Sequence, residues 1–441
     1  MRRLSSGGSK SFLVISLLVI FWALAVASRL LWNGDVYGLD FRTYHPDGVC
    51  YSKFAFDFAG ESERGIKEIN ETYQRIGSPS GGLPSSTDEA RLSCTGIGLE
   101  ARVLYPLLSA PFVKIFGLPG MLVIPALSWL WTILVPVGLL VRRGQYLGPA
   151  IAGGLAIASV TVSRWGVANI VDPLLMALVA STLLFLPIFR PPRKWDILGL
   201  ALLAVAGALT RQSFPIWIAI ALGPWIAWLL MKRNRTEHST LRNNPWNLPL
   251  LVLTGTSLVS WRIVDSIFGA QNSSSVINSW LGKVTSAFNS AAPEVLQQIP
   301  SAGILRDISA TSEPLTEIAT ETPDNTLNLL NQLWQATSHS LSLAFEVIYT
   351  EFGQLFVLDR ALVILLVLAI VGAWRLRAHD YSYMFPAVFL VTLALGAVNS
   401  TVGINFRFQL STIPFAILMA AIAIGRRVEK LKETESENFF K

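Results

Sequence analysis

The residues most able to do chemistry gather first between Gly38 and Ala55, GLDFRTYHPDGVCYSKFA. Two carboxylates, Asp40 and Asp47, flank His45, with Tyr44 and Tyr51 beside them. A carboxylate within hydrogen-bond reach of a hydroxyl can take its proton as a general base. A second set interrupts otherwise apolar stretches: Arg102, Arg164, Asn169, Asp172, Arg211, Gln212, Asn399, Asn405 and Arg407. Ionisable groups at membrane depth are expensive, so they line a wet cavity or pair with one another. Arginine adds bidentate recognition of phosphate.

Each of these residues also has a plainer role. Asp172 precedes Pro173 and could cap a helix N-terminus. Arg211 ends an apolar run and could reach lipid headgroups. Asp40 could be an ordinary loop residue, and Asp47-Gly48 is a common turn pair. His45 reads as a local hydrogen-bonding residue rather than a metal ligand. The chain has only 4 His, and no two stand at zinc-site spacing. There is no P-loop, GxSxG or dinucleotide fingerprint.

The elements that must position these groups are apolar. Of 441 residues 52% are hydrophobic and 15% charged, well below the share of charge in soluble domains. The apolar residues fall in runs of roughly 17–25, enough to cross a bilayer core. The chain therefore reads as an all-α polytopic membrane protein. Its formal charge of +6 is no nucleic-acid footprint, because Lys and Arg sit in short clusters between the runs.

The positive-inside rule then orients about ten transmembrane helices, within a range of roughly nine to twelve, both ends inside. Residues 1–10 are a cytoplasmic N-terminus, and 11–32 the first span. Ala25-Val26-Ala27 resembles a signal-peptide cleavage site, but Leu30, Leu31 and Trp32 prolong the apolar run and favour a retained anchor. Residues 33–120 form a large, acidic extracytoplasmic loop. Within it, 103–117 is short, apolar and proline-bearing, so it lies along the membrane as a juxtamembrane helix. Residues 121–268 make a helix bundle, in which 147–163 counts as one outward span. Residues 269–359 form a second outer loop, 360–425 the last spans, and 426–441 a cytoplasmic tail. Both cysteines, Cys50 and Cys94, fall in the first loop, where an oxidised pair is expected. In this orientation the polar residues at the outer ends of spans share one side with Asp40, Asp47 and Arg102.

Four motifs, in order, resemble the GT-C superfamily of membrane glycosyltransferases, which includes protein mannosyltransferases and lipid A aminoarabinose transferases. They are Asp47…Tyr51…Ala55; Arg102-Val-Leu-Tyr105-Pro106-Leu-Leu followed by Phe116-Gly117; Asn169-Ile-Val-Asp172-Pro-Leu-Leu; and Gly207-Ala-Leu-Thr210-Arg211. Arg407 with Pro414 is a weaker echo. The match covers 11–231 well and the rest only in hydropathy. The chain departs from the family in spreading its loop carboxylates over Asp35, Asp40 and Asp47, and in having no soluble domain after the last span.

The resemblance implies a plasma- or inner-membrane enzyme that takes a sugar from a polyprenyl-phosphate donor. An acceptor of the cell envelope (glycan, lipid or protein) receives it with inversion on the extracytoplasmic side. Asp47 is the expected base and Asp40 its rival. Asp172 would orient the acceptor or hold a basic partner. Arg211, Arg407 and then Arg102 would bind the donor phosphate. Tyr51, Tyr105 and His45 would position substrate. No cofactor is required, although several carboxylates could hold a divalent metal. Membrane lipids are the other partners, and nucleic acid is not one. The main rival is a transporter or lipid-linked-sugar flippase, whose pathway would use the same buried charges. A non-catalytic assembly subunit is the third reading.

Overall fold

The structure, a computed structural model, describes residues 6–31, 48–76, 102–211, 214–232, 245–268, 349, 353, 355–377, 379–399 and 407–425. Asp40, His45, Asp47, Cys94, Gln212 and Asn405, with most of 269–359, the expected second outer loop, lie outside these residues.

Among the described residues the chain is helical and contains no strand. The helices are α1 (Ser6–Leu31), α2 (Gly48–Ala59), α3 (Ser62–Ile76), α4 (Leu104–Phe116), α5 (Val123–Val141), α6 (Leu147–Ala158), α7 (Val160–Gly166), α8 (Asp172–Phe185), α9 (Lys194–Thr210), α10 (Phe214–Lys232), α11 (Asn247–Phe268), α12 (Arg360–Arg375), α13 (Met384–Asn399) and α14 (Ile413–Ile424). Short 3₁₀ turns lead into α5, α13 and α14.

Three of the described helical stretches are long and apolar enough to cross a bilayer: Gly8–Leu30, Leu118–Val141 and Asn247–Val264. α6 and α7 together would make a fourth, but they meet at a 70° bend. The single straight span expected over 147–163 is therefore broken, and Ser159 stands at the break in an extended conformation. Its hydroxyl accepts from Val162 N–H at 3.0 Å and so caps α7. A capped second helix can leave at a new angle without stranding its first donors.

The bundle has two distinguishable ends. At one, Arg143, just past α5, donates to the Phe189 carbonyl past α8 at 2.8 Å. Its guanidinium also stacks on the Phe189 ring, 4.0 Å from the centroid. Arg375 ends α12 and donates to the Ala423 carbonyl near the end of α14. Gly148, at the start of α6, lies against the Ala421 carbonyl of α14. The C-terminal ends of α5, α8, α12 and α14 thus lie together, with Arg142 and Arg190 beside them. Arg190 donates to both oxygens of Asp196, at 2.5 and 2.7 Å, ahead of the apolar part of α9. Its guanidinium holds the Asp196 carboxyl below the usual carboxylate range.

The core runs between the two ends, with α12 packed on α14, α5 on α8, α9 on α11 and α10 on α13. Small residues let the backbones approach, as they do where van der Waals packing rather than water drives association. Gly372 of α12 faces the Met419 carbonyl of α14 with no space for a Cβ.

Gly372→Val should therefore force α12 and α14 apart. Overpacking of this kind costs about 1–3 kcal/mol. Thermal unfolding in detergent should show a lowered midpoint, whereas Gly154→Ala, with nothing near its Cβ, should leave it unchanged or higher.

Candidate functional site

The opposite end of the bundle collects the polar groups. α2 and α4 pack on each other there, beside the start of α5 and the segment before α8. Asn169 ties these pieces together from a fully buried position. Its Nδ2 donates to the Gly48 carbonyl at 3.2 Å and to Ser52 Oγ at 2.8 Å. Its Oδ1 lies 2.8 Å from the Tyr105 hydroxyl, which is also 2.8 Å from the Met121 carbonyl. Gly48 sits so close to Asn169 that a Cβ would lie 2.7 Å from Nδ2. Only glycine lets α2 begin at that place.

Asp172 opens α8 three residues later, followed by Pro173, whose missing N–H suits the first turn. It does not cap its own helix. Its Oδ1 is paired with Arg211 Nη1, and its Oδ2 accepts from Arg407 Nε at 2.9 Å. The Asp172 and Arg407 side chains are 5% and 7% exposed, against 20% for Arg211. Arg211 comes from the C-terminal end of α9, and Arg407 from the turn before α14. Both are therefore more than headgroup anchors, because each is bound to the same buried carboxylate. Of the two roles expected for Asp172, holding basic partners is what its geometry supports, with both oxygens occupied.

Arg102 reaches the cluster from the residue pair before α4. Its Nη1 donates to the Tyr51 hydroxyl at 2.8 Å. Tyr51 packs edge-on against Tyr105, with ring centroids 5.7 Å apart. Both tyrosines are fully buried. Tyr105 turns its hydroxyl into the α4–α5 junction, whereas Tyr51 turns its hydroxyl toward the arginines.

Trp165, Ser52 and Asp359 take part without having been singled out from sequence. Trp165 of α7 lies beneath Arg407, whose guanidinium carbon is 5.6 Å from the indole centroid. Arg164 stacks on the same indole at 5.2 Å. Ser52 accepts from Asn169 one turn into α2. Asp359, just before α12, is buried and takes Ser159 Oγ and Thr161 N–H on one oxygen, each at 2.7 Å. Its other oxygen takes Leu362 N–H at 3.0 Å. Only Asp359 carried a legible signal, an aspartate directly before an apolar run, which is a helix-start signature.

The structure thus brings Tyr51, Arg102, Tyr105, Asn169, Asp172, Arg211 and Arg407 to one end of the bundle. The expected loop carboxylates Asp40 and Asp47, and His45, lie outside the described residues. Cys50 is buried on α2 and is disulfide-bonded, with no free cysteine among the described residues; Cys94, the partner expected from sequence, lies outside them. No group of three or more His, Cys, Asp or Glu converges among the described residues. Chemically, the cluster can hold an anion: three guanidiniums stand near one carboxylate, and arginine forks match phosphate oxygens.

No protein-family model matches the chain, and a search of curated proteins found no match.

Asp172→Ala should strip the buried Arg407 and the partly buried Arg211 of their counter-charge. Breaking a buried pair in this way costs about 3–5 kcal/mol. Lys53→Ala removes the half-exposed pair with Asp57, which is worth about 0.5 kcal/mol or less. Thermal unfolding in detergent should separate the two variants clearly.

Proposed function

We propose that the chain is an integral membrane glycosyltransferase of the GT-C type. It moves a sugar from a polyprenyl-phosphate donor to a cell-envelope acceptor on the extracytoplasmic side of the plasma or inner membrane. The observation that carries this reading is the pairing of Asp172 with both Arg211 and Arg407 at the end where α2 and α4 pack. The motif residues of four separate chain segments meet there. In this reading the helices make about ten passes, and the arginine-rich end with Arg142, Arg143, Arg190 and Arg375 faces the cytoplasm.

The chemistry follows from what leaves. The acceptor oxygen attacks the anomeric carbon from the face opposite the phosphate, and its proton passes to a carboxylate. The new C–O bond forms as the bond from C1 to the phosphate oxygen breaks, and the lipid phosphate departs with added negative charge. Guanidiniums already fixed in place stabilise that charge without reorganising. Arg211 and Arg407 are fixed by Asp172, and Arg102 by Tyr51. Asp172 has both oxygens engaged and braces the arginines, so the base is sought elsewhere. Asp47 directly precedes Gly48 in the chain and is the first candidate, with Asp40 as rival. The prenyl chain would lie among the apolar helices. Which sugar and which acceptor are used is set by groups of the outer loops. No metal is required by this scheme.

One observation favours a second reading. The break between α6 and α7 puts a bent span in the bundle, and broken spans are frequent in transporters. A flippase for lipid-linked sugars would use the same Asp172–Arg211–Arg407 end as its headgroup site.

Purified protein should transfer label from polyprenyl-phosphate sugars to a cell-envelope extract. Asp47→Asn should abolish transfer, and Asp40→Asn should spare it. The reverse pattern would move the base to Asp40. Transfer indifferent to both, or none at all, would sink the enzyme reading; lipid-linked sugar crossing the bilayer of liposomes holding the protein would then support the flippase.

A further inference from the structure

The break at Ser159 demands a reason, because a bent span buries polar groups that a straight one would satisfy internally. α7 begins with donors that α6 no longer supplies acceptors for. Ser159 Oγ takes Val162 N–H, and Asp359 takes Thr161 N–H together with the Ser159 hydroxyl itself. Asp359 is 1% exposed and also caps α12 through Leu362 N–H. One carboxylate therefore holds the first turns of two helices whose contacting residues stand about two hundred positions apart. Negative charge is favoured at both N-termini.

What α7 gains by the bend is at its other end. Trp165 stands six residues beyond the cap, in the last turn of α7, and carries the Arg407 guanidinium over its ring. Arg407 in turn bonds Asp172. The contacts run without a gap from Asp359 through the first turn of α7 to Trp165, to Arg407 and to Asp172. If α7 continued in the direction of α6, the indole could not stay beneath that arginine.

We infer that Asp359 is a positioning residue for the arginine cluster: it sets the angle of α7, which sets Trp165 under Arg407, which sets affinity for a lipid-borne phosphate. The inference rests on the proposal that Arg407 binds the phosphate of a polyprenyl donor or product. It gives the position directly before α12, where the second outer loop ends, a hold on the site.

The test measures binding of a fluorescent polyprenyl monophosphate to full-length protein in detergent, with melting curves alongside. Trp165→Leu should weaken binding about fivefold, as expected for loss of a desolvated cation–π contact, and Trp165→Phe should restore most of it. Asp359→Asn should weaken binding by a similar factor. The pair of changes should weaken it no further than Trp165→Leu alone, because both act through one contact. A merely structural Asp359 would lower the melting midpoint and leave the Kd of the folded protein alone. If Asp359→Asn does not fold, Ser159→Ala, which deletes one donor to Asp359 and the α7 cap, takes its place with the same expectation. Wild-type Kd in folded Asp359→Asn, or in Ser159→Ala where that variant stands in, would overturn the inference, as would effects that multiply in the double variant. Wild-type protein that binds no lipid phosphate would overturn the phosphate reading and the inference with it; binding that ignores Asp359 overturns the inference alone.

Discussion

A buried carboxylate must be paired, and the pairing of Asp172 organises this molecule. Its side chain is 5% exposed, and two guanidiniums answer it. Arg211 arrives from 39 residues away and Arg407 from 235. The start of α8, the end of α9 and the approach to α14 must therefore meet at one place. Apolar contacts between helices tolerate small slides, since one methyl resembles another. A paired charge does not, because separation leaves ions without solvent or partner. The polar end consequently fixes the register of helices whose apolar flanks alone would leave it loose.

Close backbone contact does the complementary work along the helices. In apolar surroundings water cannot drive one helix against another, so fit and small residues take over. Gly372 against α14 and Gly148 against the same helix are the clearest cases. Gly48 uses the same absence of a side chain differently. It lets the first turn of α2 touch Asn169, and the amide then bonds both the Gly48 carbonyl and Ser52. A contact permitted by sterics is thus made specific by hydrogen bonds.

Much of the helical framework was legible because hydropathy records it directly. α1, α5 and α11 match apolar runs, and the short apolar segment 103–117, expected to be a helix, appears as α4, Leu104–Phe116. The convergence of Asp172, Arg211 and Arg407 was legible too, for a physical reason. Lys and Arg clusters orient the spans, and an orientation puts span ends on sides. Which residue pairs with which was not legible, since pairing depends on distances between helices far apart in sequence. The break at Ser159 was invisible for a related reason. Its surroundings, Ala158-Ser159-Val160-Thr161-Val162, are apolar or small, with no proline or glycine. The acceptor that makes the break tolerable is Asp359, two hundred positions away. The direction of a tyrosine hydroxyl was equally hidden: Tyr51 and Tyr105 look alike in the chain, yet one serves Arg102 and the other the α4–α5 junction.

The same pairing that organises the bundle also divides labour among its carboxylates. A general base needs an oxygen aimed at the acceptor hydroxyl. Asp172 has given one oxygen to each arginine, so what it contributes is fixed positive charge in a defined position. Asp359 is likewise committed, to Ser159, Thr161 and Leu362. Buried carboxylates that satisfy helix ends and arginines hold a site together, and they are unsuited to shuttling protons. In the proposed transferase, proton transfer is then left to a carboxylate outside these networks. Asp47 directly precedes Gly48 in the chain, Asn169 holds Gly48, and Asn169 stands three residues before Asp172. A base in the loop and charge stabilisation in the bundle are separate requirements, and the clamp at Asn169 joins the elements that would supply them.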